Sequence, residues 1–169
     1  MRNDNTKFVA IFVLVMICIV GFFAFGQTSP NEVEDKITTS NVTKVSLTID
    51  DFKDAVGASS YDKPSGEIEE NVEEQISVTI INDINTTFYD MKTVKDAEKQ
   101  YEKLSKYQDK FKSQVEIHEK VNNGIIFGCK LRNDRYKYTI QIADIVIDLE
   151  FGAQNISRGV GIVKKLWNK

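Results

Sequence analysis

Cysteine is nearly absent from this chain. Of the two among 169 residues, Cys18 lies inside a long apolar run and Cys129 lies far downstream. One belongs in lipid and the other in a folded domain, so they cannot pair within one chain. No disulfide framework holds the fold, and its stability has to come from a hydrophobic core. Histidine occurs once, as His118. A single imidazole without a second histidine or a cysteine nearby offers neither a metal-ligand set nor the partnered base that catalysis needs. The spacings of nucleophile elbows, zinc helices, phosphate loops and calcium loops do not occur either. Proline is limited to Pro30 and Pro64, both in polar stretches. A basic excess is missing as well: the net charge is −3. Clustered Lys and Arg against phosphate are what nucleic-acid binding requires, so a nucleic-acid partner is excluded.

What the chain does have, first of all, is a membrane segment. Residues 8–25 read FVAIFVLVMICIVGFFAF, eighteen positions without a charge. As a helix they cover about 27 Å, close to the thickness of the hydrocarbon core. Arg2 and Lys7 outweigh Asp4 on the N-terminal side, and the next basic residue after the run is Lys36. The positive-inside bias therefore predicts a cytoplasmic stub over 1–7 and a single transmembrane signal anchor over 8–26, with the remainder outside the cell membrane. A cleaved signal peptide is the competing reading, since Ala24-Phe25-Gly26 offers small residues at the right spacing. Ile17 before Cys18, and the apolar residues after it, speak against a lipid-attachment site.

Residues 27–43, QTSPNEVEDKITTSNVT, are polar and aperiodic, and read as a flexible linker. The domain is expected over 44–169, about 125 residues, an ordinary size for one hydrophobic core. Thr48 and Asp51 are spaced as a capping box, with Leu47 and Phe52 as its hydrophobic staple, and Gly57 stops the short helix that follows. Thr93 and Asp96 repeat the device. Ala97, Tyr101, Leu104 and Phe111 then mark one stripe of a longer helix. Residues 76–80 and 84–89 form a hairpin around Asn82-Asp83. Four period-2 segments follow, joined by Asn122-Asn123-Gly124, Asn133-Asp134 and Ala143-Asp144. They predict an antiparallel meander with one solvated face carrying Lys137, Thr139 and Gln141. A last helix over 155–167 carries Ile156, Val160, Val163 and Trp167 on one side, with Gly159 and Gly161 weakening it. The predicted class is α+β: a hairpin plus a four-strand meander, antiparallel throughout, with about three helices packed on one face and one transmembrane helix ahead of them.

Candidate functional residues are few. On its strand, His118 is expected to share a solvated side with Glu116 and Lys120, away from Val115 and Ile117. Cys129 shares the apolar side with Phe127 and Leu131, where burial keeps a thiol inert. Asp50, Asp51 and Asp54 crowd one short helix, but Asp51 is explained as a cap and the others as its solvated side. The run EIEENVEE within 59–75 reads as a solvated loop. Tyr89, Tyr107, Tyr136 and Tyr138 are candidates for an aromatic protein-binding surface. No catalytic, cofactor-binding or metal-binding residue is assigned, and no cofactor is implied.

Several of these features together resemble a known group. They are Leu47-Thr48-x-x-Asp51-Phe52-Lys53, Thr87-Phe88-Tyr89-Asp90, Asp96-Ala97-x-x-x-Tyr101 and the strand pair over 138–149. The chain is similar from Leu47 onward to uncharacterised small extracytoplasmic proteins of Gram-positive bacteria, anchored by a lipid or by one span. The resemblance implies a fold and a location outside the membrane, and no activity. The lipid-attachment cysteine of some members is missing here. The reading is a non-catalytic interaction module that contacts the membrane through its span, with another membrane or envelope protein as partner. A domain binding a small ligand or cell-wall fragment is the alternative. A hydrolase using Asp50, Asp51, Asp54 and His118 is the third.

Overall fold

The computed structural model describes residues 37–63, 68–80 and 83–169. The stub, the span and most of the linker lie outside them. Among the described residues no helix is long and apolar enough to cross a membrane.

The elements in order are β1 (Thr38–Thr39), α1 (Ile49–Val56), β2 (Val72–Ile80), β3 (Ile84–Met91), α2 (Val94–Phe111), β4 (Lys112–Val121), β5 (Gly124–Leu131), β6 (Arg135–Ile142), β7 (Ile145–Gly152) and, after a 3-10 turn, α3 (Ile156–Trp167). The seven strands form one sheet in the order β1-β4-β5-β6-β7-β3-β2. The predicted hairpin and meander are both present, and the first hairpin joins the meander through β3 and β7. The α+β class therefore stands. The sheet is mixed, however, because β1 runs parallel to β4, with Thr38 opposite Glu119 and Thr39 opposite Lys120. This strand is two polar residues long, too short to show a period-2 pattern, and lies within the stretch that reads as a flexible linker.

The helices do not share one face, which corrects the second part of the expectation. On one face α1 and α3 cover Phe88 of β3, Ile140 of β6 and Ile147, Leu149 and Phe151 of β7. On the other, α2 lies over Met91, Val146, Phe127, Cys129 and Leu131. The physical reason is the two-sided character of β5 and β7. Phe127, Cys129 and Leu131 alternate with Ile126, and Val146 alternates with Ile145 and Ile147, so both faces carry apolar side chains that need cover.

Local devices set the helices. Thr48 Oγ1 accepts the amide of Asp51 at 3.2 Å, and Asp51 Oδ2 accepts the amide of Thr48 at 2.9 Å, the full capping box. Gly57, at φ 64°, turns the chain out through a bond from its amide to the Lys53 carbonyl. At α2 the cap differs in detail. Thr93 accepts the Asp96 amide, but the Asp96 carboxylate takes the Thr93 hydroxyl at 2.7 Å. Phe111 ends the expected stripe 36 % exposed, and Gln108 is the residue fully buried instead. On α3 the buried side is Gly159, Ile162, Val163, Leu166 and Trp167, whereas Ile156 is 41 % exposed. The helix is rotated so that Gly159 meets the ring of Phe151. A Cβ on Gly159 would stand 2.3 Å from Phe151 Cε1. The glycine that weakens the helix as a helix is what lets it approach the sheet.

Candidate functional site

Two places gather polar side chains that the core does not need. The first lies on the sheet face under α2. Lys137 and Glu150 are cross-strand partners on β6 and β7, as are Thr139 and Asp148. Lys137 Nζ lies 2.5 Å from Asp148 Oδ2 and 3.8 Å from Glu150 Oε2. Thr139 Oγ1 donates to Asp148 Oδ1 at 3.1 Å. Arg135 Nε donates to Glu150 Oε1 at 2.5 Å, and its Nη1 donates to Asp83 Oδ1 at 2.6 Å. The Arg135 guanidinium beside Asp83 holds that carboxyl below the usual range and is itself pushed up. The array alternates sign along the face: Asp83, Arg135, Glu150, Lys137, Asp148. Its inner end is dry, since Lys137 is 6 % exposed and Thr139 is fully buried. The Tyr107 ring of α2 stands 5.9 Å from Lys137 Nζ. The neighbouring Gln108 is buried with neither amide atom hydrogen-bonded.

This corrects the expectation of a solvated face for Lys137, Thr139 and Gln141. All three are buried. Alternation with apolar residues signals two environments, but it does not say that the second is water. The missed signal was the register: Lys137 and Glu150 are equidistant from the Ala143-Asp144 turn, so opposite charges face each other across the hairpin.

The second place is a cleft of about 460 Å³ between the first half of α2 and two turns of the sheet. Glu98, Tyr101 and Glu102 line it from the helix, Lys120 and Ile125 from β4 and β5, and Gln141 from β6. The Gln141 side chain donates to the Ala143 carbonyl at 3.1 Å. Asn122 and Asn123 form the rim, and they also hold the incoming chain. Asn122 Nδ2 donates to the Asn41 carbonyl at 2.8 Å, and Asn123 exchanges two bonds with the Lys44 backbone, each 2.8 Å. The stretch expected as the end of a flexible linker is therefore fixed against the β4–β5 turn, beside the cleft.

The residues singled out from sequence fall in separate places. Asp51 closes the capping box of α1 by accepting the Thr48 amide and also pairs with Lys169, just beyond α3. Lys169 and then Thr48 pull its carboxyl down to about 2. A folded value below the ordinary 3.8 means stability that is complete above pH 4 and drains away as pH falls toward 2. Asp51→Asn is expected to flatten that part of the stability curve, read by urea unfolding at pH 7, 4 and 2.5. Curves for the two proteins that run parallel between pH 4 and 2.5 would remove this role.

His118 does not share a solvated side. A register shift between Val115 and Ile117 puts His118 on the same face as Val115, half-buried, with its ring 5.0 Å from Phe127. Cys129 is buried on the apolar side beside Phe127 and Leu131, as expected. Tyr136 and Tyr138 lie on the α1/α3 face, stacked on Phe151 at 5.7 and 5.8 Å. Burial pushes the Tyr138 hydroxyl up to about 12. Tyr89 lies on the opposite face, half-buried beside the Met91 and Val146 cluster. Tyr107 is 52 % exposed on α2, with Phe111 at 4.8 Å. The structure therefore does not bring the four tyrosines together. Among the described residues no group of three or more His, Cys, Asp and Glu side chains is placed to hold a metal ion.

No protein-family model matches this chain, and no curated protein or solved structure matches it.

Proposed function

We propose that this protein is a non-catalytic binding module, held at the outer side of a cell membrane by its N-terminal span, whose ligand sits in the cleft beside α2. The observation that carries the reading is the cleft itself. Its volume of about 460 Å³ falls within the range of small-ligand sites. It combines a tyrosine, side-chain amides, two carboxylates and one ammonium, so it suits a hydrogen-bonding, charge-bearing ligand such as a fragment of cell-wall glycan or peptide. The membrane span, the extracytoplasmic location and the resemblance to small anchored envelope proteins rest on the sequence features described above.

A docked envelope protein is the second reading, and Tyr107 with Phe111, part-exposed near the C-terminal end of α2, favours it: aromatic pairs left half-exposed are the usual anchors of protein interfaces. One experiment separates the two. The full-length protein, tagged at its C-terminus, is crosslinked in cells, purified from membranes, and examined for what comes with it. Glu98→Arg with Lys120→Glu reverses the charges of the cleft rim at exposed positions and is expected to abolish capture of ligand. Tyr107→Ser with Phe111→Ser is expected to leave it intact. Loss of capture only in the second pair would move the site to α2, and capture unchanged in both would defeat the reading.

A further inference from the structure

A buried primary amine in contact with a part-buried carboxyl group, with a second carboxylate beside them, supplies the components of a condensation reaction. Lys137 and Asp148 meet this description. They lie on adjacent strands of one hairpin, separated by ten residues of chain. Lys137 Nζ is 2.5 Å from Asp148 Oδ2. The other carboxylate oxygen, Oδ1, is held by the Thr139 hydroxyl, so the group is fixed in orientation. Glu150, the cross-strand partner of Lys137, stands 3.8 Å from the same nitrogen and is positioned by Arg135. On the other side of Lys137 the cross-strand residue is the buried Cys129. From above, α2 covers the pair, with Tyr107 over Lys137.

We propose that Lys137 and Asp148 join in an intramolecular amide, Nζ to Cγ, which forms once the fold is complete. In water an ammonium and a carboxylate do not condense, because both are well solvated and dilute. Here the fold holds them in contact, and effective concentrations for such fixed pairs reach about 10⁵–10⁸ M. The step balances within the site. The Lys137 ammonium passes one proton, relayed by Glu150, to the Asp148 carboxylate. The neutral amine attacks Cγ, and the C–N bond forms. A second proton leaves nitrogen through Glu150 to the departing hydroxyl, the C–O bond breaks, and water is released. One ammonium and one carboxylate become one amide and one water, with no change of oxidation state. The product ties β6 to β7, a covalent brace in a domain whose described residues contain one cysteine.

The test is the mass of the full-length chain, purified from membranes and denatured before analysis. The expected mass is one water, about 18 Da, below the sequence value, with residues 136–158 recovered after trypsin as one peptide uncleaved at Lys137 and carrying the loss. Lys137→Arg and Asp148→Ala are expected at full mass. Asp148→Asn is the sharper variant: it loses ammonia in place of water and reaches the same final mass as the wild type. Glu150→Gln keeps both reacting groups and is expected to remain at full mass or to convert slowly. Wild-type protein at full mass, cleaved by trypsin after Lys137 although it unfolds cooperatively on heating, would overturn the proposal. So would a water loss confined to Asp148 with Lys137 still cleavable, because that outcome is a cyclic imide within one residue.

Discussion

Phe151→Ala is expected to cost about 3–5 kcal/mol of folding stability, the range for truncating a fully buried aromatic ring. Phe151 is at the centre of the structure in a specific sense. It sits on β7 with no solvent exposure, stacks against Tyr136 and Tyr138 of β6, and receives α3 at Gly159. Removing it opens a cavity on the α1/α3 face that two stacked tyrosines cannot close. Urea unfolding of the domain reads the loss directly. The two glycines of α3 give this prediction its control. Gly159→Ala sets a methyl against a ring already held by its neighbours and is expected to destabilise by about 1–3 kcal/mol. Gly161, with nothing within 4 Å of an added Cβ, is expected to gain about 1 kcal/mol as alanine. In a Phe151→Leu background the penalty at Gly159 should shrink, because the ring it meets is gone. Equal effects at the two glycines would show that α3 does not pack as described.

Asp148→Ala is the second large effect, about 3–5 kcal/mol, because it frees the Lys137 amine as a buried ammonium with only Glu150, at 3.8 Å, beside it. The comparison that gives this meaning is the double replacement Lys137→Met with Asp148→Leu. It removes the amine and the carboxyl group together and keeps the volume, and is expected to recover the part of the loss that comes from the buried ammonium. A single variant as stable as the wild type would mean that Lys137 reaches water, contrary to its 6 % exposure.

The elements read most easily from sequence were those specified by local chemistry. Thr48 with Asp51, and Gly57, defined α1; the Asn, Asp and Gly turns cut the meander into strands; both survive in the structure because each depends on neighbours within a few residues. Properties set by distant partners were harder. Period-2 alternation along β6 separated Tyr138, Ile140 and Ile142 from Lys137, Thr139 and Gln141 correctly, but α2 decides that the second set is buried, and nothing within β6 reports where α2 lies. The rotation of α3 depends on Phe151. The strand at Thr38–Thr39 depends on an edge of β4, and on two asparagines that were read only as a turn. The bulge in β4 moved His118 across the sheet. Of the candidate site, sequence offered the turn residues Asn122 and Asn123 and the helix residue Tyr101, each for a structural reason. The cleft exists because a helix end and two turns from separate parts of the chain meet there.

That cleft is the central claim, and a photoreactive amino acid placed in it tests the claim most directly. Benzoylphenylalanine at position 98, on the cleft side of α2, is compared in living cells with the same residue at position 50, on α1. Irradiation is predicted to give an adduct at position 98 and none at position 50, with the size of the adduct telling a wall fragment from a protein partner. An adduct at position 50 alone, or identical patterns at both positions, would contradict binding at the cleft.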